Sequence, residues 1–219
     1  MVADMVREVS ALVLDFGNVI TLPPDEGAFD RMAELLTGGD SRAADFRAAE
    51  FRAAYAASRS EYDRGALSAH EYWRLVGKSL GREPSSGETE KLRALDVAAW
   101  FRFDPAMVGW LSAIRPSVRR LALLSNINDD GVEALRRMAP WLGTFDLLVL
   151  SCEHKVVKPD AAIFGILVDR LGVEPGDCLF VDDIAANVEG ARAAGLNAHR
   201  YEGLAGLQAE LGERYRLVR

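Results

Sequence analysis

Four short, uninterrupted apolar runs constrain this chain more than any other feature: Ala11-Leu12-Val13-Leu14, Leu121-Ala122-Leu123-Leu124, Leu147-Leu148-Val149-Leu150 and Cys178-Leu179-Phe180-Val181. Because they lack polar alternation, they read as strands covered on both faces, the condition of a parallel sheet with helices on either side. Helical patterns fill the intervals. Asp104-Pro105 forms an N-cap followed by proline in the first turn, ahead of Val108, Leu111 and Ile114. Pro159-Asp160 opens a second helix, with Ile163, Ile166 and Leu167 inward and Gly172 at its end, and Ala186 to Ala194, stopped by Gly195, makes a third. A fifth strand is expected at Asn197 to Tyr201. The fold class that follows is α/β, a doubly wound parallel sheet.

Between the first and second runs, residues 22 to 103 carry helical patterns and no convincing strand, so they read as an inserted helical module. Phe29, Met32, Ala33 and Leu36 make one stripe, ended by Gly38-Gly39, and Phe46 to Ala57 an alanine-rich second. Ser68-Ala69-His70-Glu71 is a capping box leading into Tyr72, Trp73, Val76 and Leu80. Leu92, Leu95 and Ala99 suggest a further helix, and Pro84-Ser85-Ser86-Gly87 reads as a loop. The chain of 219 residues is thus expected to divide into a core, residues 1–21 and 104–219, and a module, residues 22–103.

In an open parallel sheet, ligands bind beyond the carboxyl ends of the strands. Every run here ends in polar residues: Asp15-Phe16-Gly17-Asn18 after the first, Ser125-Asn126 after the second, a loop with Lys155 and Lys158 after the third, and Asp182-Asp183 after the fourth. Asp15, Asp182 and Asp183 brought together would repel one another unless a cation or proton stood between them. A hard divalent ion with oxygen ligands, Mg2+ above all, answers that need and leaves room for a phosphate oxygen. Ser125, the Asn126 backbone and Lys158 could hold the remaining phosphate oxygens.

These four segments resemble the motifs of the haloacid dehalogenase superfamily, and the resemblance runs over nearly the whole chain. Leu12 to Ile20 is similar to its first motif, Leu123-Leu124-Ser125-Asn126 to its second, and Lys158-Pro159-Asp160 with Ile163-Phe164 to its third. Phe180-Val181-Asp182-Asp183 with Asn187, Gly190, Ala191 and Gly195 is similar to its fourth. The resemblance implies that Asp15 is a nucleophile forming an aspartyl-phosphate and also ligates magnesium, with Asp183 as the other carboxylate ligand and the Gly17 carbonyl as a third. It implies that Ser125 bonds the phosphate, that Lys158 neutralises charge, and that Asp182 and Asn187 support the site from behind. Residues 22–103 would be a helical cap that closes over the site and selects substrates.

The departure from the family pattern is Gly17, where most of its phosphatases carry an acid/base aspartate. The expected function is therefore magnesium-dependent hydrolysis of a small phosphomonoester, a sugar phosphate among the candidates. A catalytically weak or silent protein that binds a phosphorylated ligand or a protein partner is the alternative. A haloacid dehalogenase is the third reading; it needs no magnesium and leaves Asp182-Asp183 unexplained.

With 26 basic and 33 acidic side chains, net charge -7, no global field attracts nucleic acid or anionic lipid. No apolar stretch approaches the roughly 18 residues of a membrane span, and the charged N-terminus lacks a signal sequence pattern. Two cysteines, Cys152 and Cys178, are too few for a disulfide scaffold, which suits reduced thiols and a cytoplasmic location. The expected partner is a small phosphorylated metabolite, and the expected assembly a monomer or homodimer. His70, His154 and His199 fall at no position the mechanism requires, and Tyr72, Trp73, Trp100 and Trp110 read as packing aromatics.

Overall fold

The computed structural model describes residues 6–37 and 44–218. The apolar runs form four strands of a five-stranded, wholly parallel sheet: β2 (Ala11–Leu14), β3 (Arg120–Ser125), β4 (Leu147–Leu150) and β5 (Cys178–Asp182), joined by β6 (Asn197–Arg200), in the order β4-β3-β2-β5-β6. Leu12 and Leu14 align with Leu121 and Leu123 of β3 on one side and with Leu179 and Val181 of β5 on the other. The order of connection reverses at β2, so the switch point opens at its carboxyl end, between β3 and β5.

Period-two alternation divides these strands between two cores. Leu12, Leu14, Leu121, Leu123, Leu179 and Val181 face one layer, formed by α6 (Pro105–Ile114), α7 (Asp129–Met138) and α11 (Leu204–Glu213), with Met107, Leu111, Leu135 and Leu207 buried against them. Ala11, Val13, Ala122, Leu124, Val149 and Phe180 face the other, formed by α9 (Ala161–Leu171) and α10 (Ala185–Ala193), through Ile163, Phe164, Leu167, Val188 and Ala191. The expected caps are present: Asp104 and Asp160 accept from Ala106 N and Ala162 N at 2.9 Å each, and Gly172 ends α9 in the left-handed conformation at φ 64°. Leu147 and Leu148 are only half-buried, because β4 is an edge strand rather than covered on both faces.

The helices after β2 pack about a third core. They are α1 (Glu26–Thr37), α2 (Ala44–Ala57), α3 (Arg59–Asp63), α4 (Ala69–Ser79) and α5 (Ser86–Trp100), sharing Phe29, Met32, Leu36, Phe51, Tyr72, Trp73 and Leu92. The expected end of α1 at Gly38-Gly39 lies outside the described residues, as does the side chain of Phe46. Ser86 and Gly87 correct the sequence reading, because they are the first helical residues of α5 and not part of a loop. Ser85 and Glu88 form a reciprocal capping box there, as Ser68 and Glu71 do at α4, and both boxes give a helix its start. The chain leaves the core and returns to it at adjoining points. Thr21 and Phe103 form an antiparallel bridge, Leu22 N donates to Arg102 O at 2.7 Å, and Asp104 N donates to Ile20 O at 2.9 Å.

A two-stranded parallel pair, β1 (Arg7–Val9) with β7 (Tyr215–Leu217), ties the two ends of the chain together. No helix among the described residues is long and apolar enough to cross a membrane.

Candidate active site

The carboxyl ends of β2, β3 and β5 deliver Asp15, Ser125 and Asp182 to one place, and the loop after β4 brings Lys158 between them. Lys158 Nζ donates to Asp15 Oδ1 at 2.6 Å, to Asp182 Oδ2 at 2.7 Å and to the Leu124 carbonyl at 3.0 Å. All three ammonium protons are therefore engaged, on a side chain that is almost fully buried. Burial alone would drive Lys158 toward neutrality, but the two carboxylates outweigh it and hold its affinity for the proton above the ordinary lysine range.

Lys158 is itself held from behind. Its backbone N–H donates to Asn126 Oδ1 at 2.8 Å, and Asn126 Nδ2 donates to its carbonyl at 3.0 Å. The residue after it, Pro159, meets α10 at Gly190, where a Cβ would lie 2.8 Å from both the Pro159 carbonyl oxygen and Cβ. Only a glycine lets that helix approach so closely.

The two neighbouring aspartates at the end of β5 differ in their surroundings. Asp182 is fully buried and saturated: Asn187 Nδ2 donates to both oxygens at 3.1 and 3.0 Å, Ile184 N donates to Oδ1 at 2.8 Å, and Lys158 takes Oδ2. Asp183 is half-buried, and Asn18 Nδ2 donates to its Oδ2 at 2.9 Å. Asn18 sits in the left-handed region at φ 56°, with its N–H on Thr21 Oγ1 at 3.0 Å, and its own Oδ1 is buried without a partner. Burial pushes Asp15 up to about 7, with Lys158 opposing and Asp182 reinforcing the shift. Burial also raises Asp183, against the Asn18 hydrogen bond.

Asp15, Asp182 and Asp183 each offer a carboxylate oxygen within 4.8 Å of the others. Three carboxylates against one ammonium leave two negative charges in a largely buried space, and burial raises Asp15 and Asp183 where no cation stands between them. A hard divalent cation with oxygen ligands is the group this donor set fits. Asp15 and Asp183 have coordination capacity to spare, whereas Asp182 does not.

A cavity of about 260 Å³ opens over this cluster. Of the residues given a role at the site from the sequence, Asp15, Gly17, Ser125, Asn126, Lys158, Asp183 and Asn187 line the wall, whereas Asp182 does not border the cavity and pairs with Lys158. Ser125 is buried, its hydroxyl 3.4 Å from the Asn126 carbonyl. The opposite wall comes from the helical segment and is not evident in the sequence. Arg59 and Asp63 of α3 and Asp96, Val97 and Trp100 of α5 contribute to it. Arg59 donates to both oxygens of Asp63 at 3.0 and 3.2 Å and to both of Asp96 at 3.1 and 2.9 Å. Trp100, read from the sequence as a packing aromatic, also faces the cavity and covers Gly17, where a Cβ would lie 3.6 Å from its ring. None of the three histidines lines the cavity.

The helical segment is tied to the core by polar contacts around this wall. Arg93 of α5 donates to Asp130 of α7 at 2.5 and 2.9 Å, and Tyr62 OH donates to the same carboxylate at 2.5 Å. Ser151 Oγ, in the single turn α8 (Ser151–His154), donates to the Asp63 carbonyl at 2.5 Å, and Lys155 Nζ to the Gly65 carbonyl at 3.0 Å.

The haloacid dehalogenase-like hydrolase family profile matches residues 9–195. A D-ribitol-5-phosphate phosphatase of Bacteroides thetaiotaomicron is 27% identical over 214 residues, covering 93% of this chain and 97% of that protein. An (S)-2-haloacid dehalogenase of Pseudomonas sp. strain CBS-3 is 30% identical over 135 residues, covering 59% of this chain and 60% of that protein, so the match spans about three-fifths of the dehalogenase. A HAD family enzyme of Bacteroides thetaiotaomicron, crystallised with magnesium and inorganic phosphate, superimposes with a TM-score of 0.69 at 18% identity, covering 91% of this chain and 98% of that one. The parallel sheet, its order of connection and the family match agree: the chain belongs to the haloacid dehalogenase-like hydrolases.

Proposed function

We propose that this hydrolase is a magnesium-dependent phosphatase acting on a small phosphomonoester, with residues 1–21 and 104–219 as its catalytic core and 22–103 as the cap that encloses the substrate. The observation that carries the reading is the cluster of Asp15, Asp182 and Asp183 about Lys158, whose two uncompensated charges suit a divalent cation beside a phosphate. The dehalogenase reading leaves the acidic pair Asp182-Asp183 poorly explained.

Asp15 attacks phosphorus and becomes an aspartyl-phosphate, which water then hydrolyses. Ser125 and the Asn126 backbone hold phosphate oxygens, and Lys158 keeps Asp15 oriented while offsetting the charge of the incoming group. Asp182 and Asn187 fix Lys158 in turn and meet no substrate. Asp15, Asp183 and the Gly17 carbonyl would hold Mg2+, which draws charge from the transferring phosphoryl oxygens. Enclosure by the cap excludes water until the ester has bound.

Turnover of 4-nitrophenyl phosphate by the full chain tests the assignment. EDTA should abolish it, Mg2+ should restore it, and Asp15→Asn should eliminate it without loss of fold. Full turnover after exhaustive chelation, or from Asp15→Asn, would refute the mechanism. The bare Gly17 favours a second reading, a silent protein that binds a phosphorylated ligand, and absence of turnover with retained phosphate binding would select it.

A further inference from the structure

Transfer from an alkyl ester needs a proton on the departing oxygen, and the site has no acid where Gly17 lies. Trp100 covers that position, and Lys158 has its three protons committed to Asp15, Asp182 and Leu124. The opposite wall of the cavity carries a different arrangement. Asp63 and Asp96 share the single guanidinium of Arg59, which leaves one uncompensated negative charge away from bulk water. A proton is the smallest cation that can compensate it. Asp96 is the more buried of the two and also receives the Tyr55 hydroxyl at 2.5 Å. Asp63 receives, besides Arg59, only a long contact from Asn128 Nδ2 at 3.3 Å.

Asp63 is also fixed relative to the phosphate end of the site. Its carbonyl accepts from Ser151 Oγ, which in turn accepts from Ile127 N at 2.8 Å, so α3 is tied to the loop that begins with Ser125 and Asn126. Asp15 and Asp63 border the same cavity. We propose that Asp63 is the catalytic proton donor and acceptor of this enzyme, supplied by the cap in place of the side chain that Gly17 lacks. The proposal rests on the phosphatase reading above.

As Asp15 bonds to phosphorus, the bond from phosphorus to the ester oxygen breaks and its electron pair goes to that oxygen, which takes the proton of the Asp63 carboxyl and leaves as an alcohol. The Asp63 carboxylate then takes a proton from water as the water oxygen bonds to phosphorus. The bond between Asp15 and phosphorus breaks, and Asp15 returns as a carboxylate. Burial raises Asp63, with Arg59 opposing and Asp96 reinforcing the shift, so it can hold the proton that the first step requires. The charged and titratable groups that face it are Arg59 from its own helix, Asp96 from α5 and Tyr72 from α4, and Asp15, Lys158 and Asp183 line the same cavity.

The test is steady-state kinetics of the full chain with Mg2+, comparing wild type, Asp63→Asn and Asp63→Glu on 4-nitrophenyl phosphate and on glycerol 2-phosphate. Loss of an acid/base group is worth about 10² to 10⁴ in rate. Asp63→Asn should lose that much in kcat/KM on the alkyl ester. It should lose less than about tenfold in kcat/KM on the aryl ester, whose oxygen leaves unaided, while slowed hydrolysis of the aspartyl-phosphate appears as a burst of 4-nitrophenol ahead of a lower kcat. The alkaline limb of the alkyl pH profile should vanish in Asp63→Asn and persist, displaced, in Asp63→Glu. Should Asp63→Asn fail to fold, the Asp63→Glu profile decides: a displaced limb supports the assignment and an undisplaced one overturns it. Equal losses in kcat/KM on the two esters, or unchanged alkyl turnover, also overturn it. In each of those outcomes wild type remains an active phosphatase; wild type inactive on both esters would instead overturn the phosphatase reading, and this assignment with it.

Discussion

Two glycines in helices on the same side of the sheet should respond oppositely to alanine. Replacing a mid-helix glycine by alanine is intrinsically favourable by about 0.5 to 1 kcal/mol, because the unfolded chain loses freedom. Gly165 in α9 has no heavy atom within 4 Å of where a Cβ would stand, so Gly165→Ala should stabilise by that amount. At Gly190 in α10 the Cβ would meet Pro159 at 2.8 Å, backbone carbonyl included, and Phe164 at 3.3 Å. Reaching ordinary contact at 3.4 Å requires the Pro159 backbone to retreat by about 0.6 Å, an overpacking that typically costs about 1 to 3 kcal/mol. The propensity gain offsets part of that. Gly190→Ala should end up about 1 kcal/mol less stable than wild type, and about 2 kcal/mol less stable than Gly165→Ala. Pro159 follows Lys158, so the retreat also moves the ammonium from Asp15, and misplacement on the order of 1 Å can cost about 10²-fold in rate. Urea unfolding monitored by circular dichroism gives the stabilities, and aryl phosphate turnover gives the rate. If both alanines stabilise equally, or if Gly190→Ala unfolds early yet turns over like wild type, the link from α10 to Lys158 is wrong.

Lys158→Met leaves Asp15 and Asp182 buried without a counter-ion and should cost about 3 to 5 kcal/mol at pH 8. An acid whose pKa is raised in the folded state is favoured by protonation, so this deficit should shrink toward pH 5; a urea midpoint equal to wild type at pH 8, or a deficit that grows on acidification, contradicts it. Mg2+ at a hundred times its Kd should stabilise wild type by about 2.7 kcal/mol, or about 5 to 10 °C in Tm for a chain of this size. Protons compete for Asp15, held up to about 7, and for Asp183, also raised, so the thermal shift should fade between pH 8 and pH 5.5. A shift independent of pH would mean that these carboxylates do not hold the ion.

The central strands were legible because each lies between two helical layers and so became an apolar run with no polar interruption. The β1 and β7 strands were not, since three residues such as Arg7, Glu8 and Val9 carry no periodicity and their partner lies at the far end of the chain. Ser85 and Glu88 show the reverse case: the capping signal was present, but Pro84 and Gly87 around it suggested a loop. The core half of the candidate site was legible because it is built from residues that directly follow strands. The half contributed by the helical segment was not. Arg59, Asp63 and Asp96 come from two helices separated by more than twenty residues, and only tertiary packing turns them toward Asp15.

The chain passes from the core into the helical segment at Thr21 and comes back at Phe103, one bridge away. A segment that starts and finishes at the same doorway adds no strand to the sheet: what lies between can lengthen or shorten wherever it does not touch the core, provided that its two ends still meet and the contacts of Tyr62, Asp63, Gly65 and Arg93 are kept. Under the proposed assignment of Asp63, however, exchange within residues 22–103 would change the proton donor of the reaction along with the wall that meets the substrate, so chemistry and specificity would be inherited together unless Asp63 and its contacts to Asn128 and Ser151 were kept.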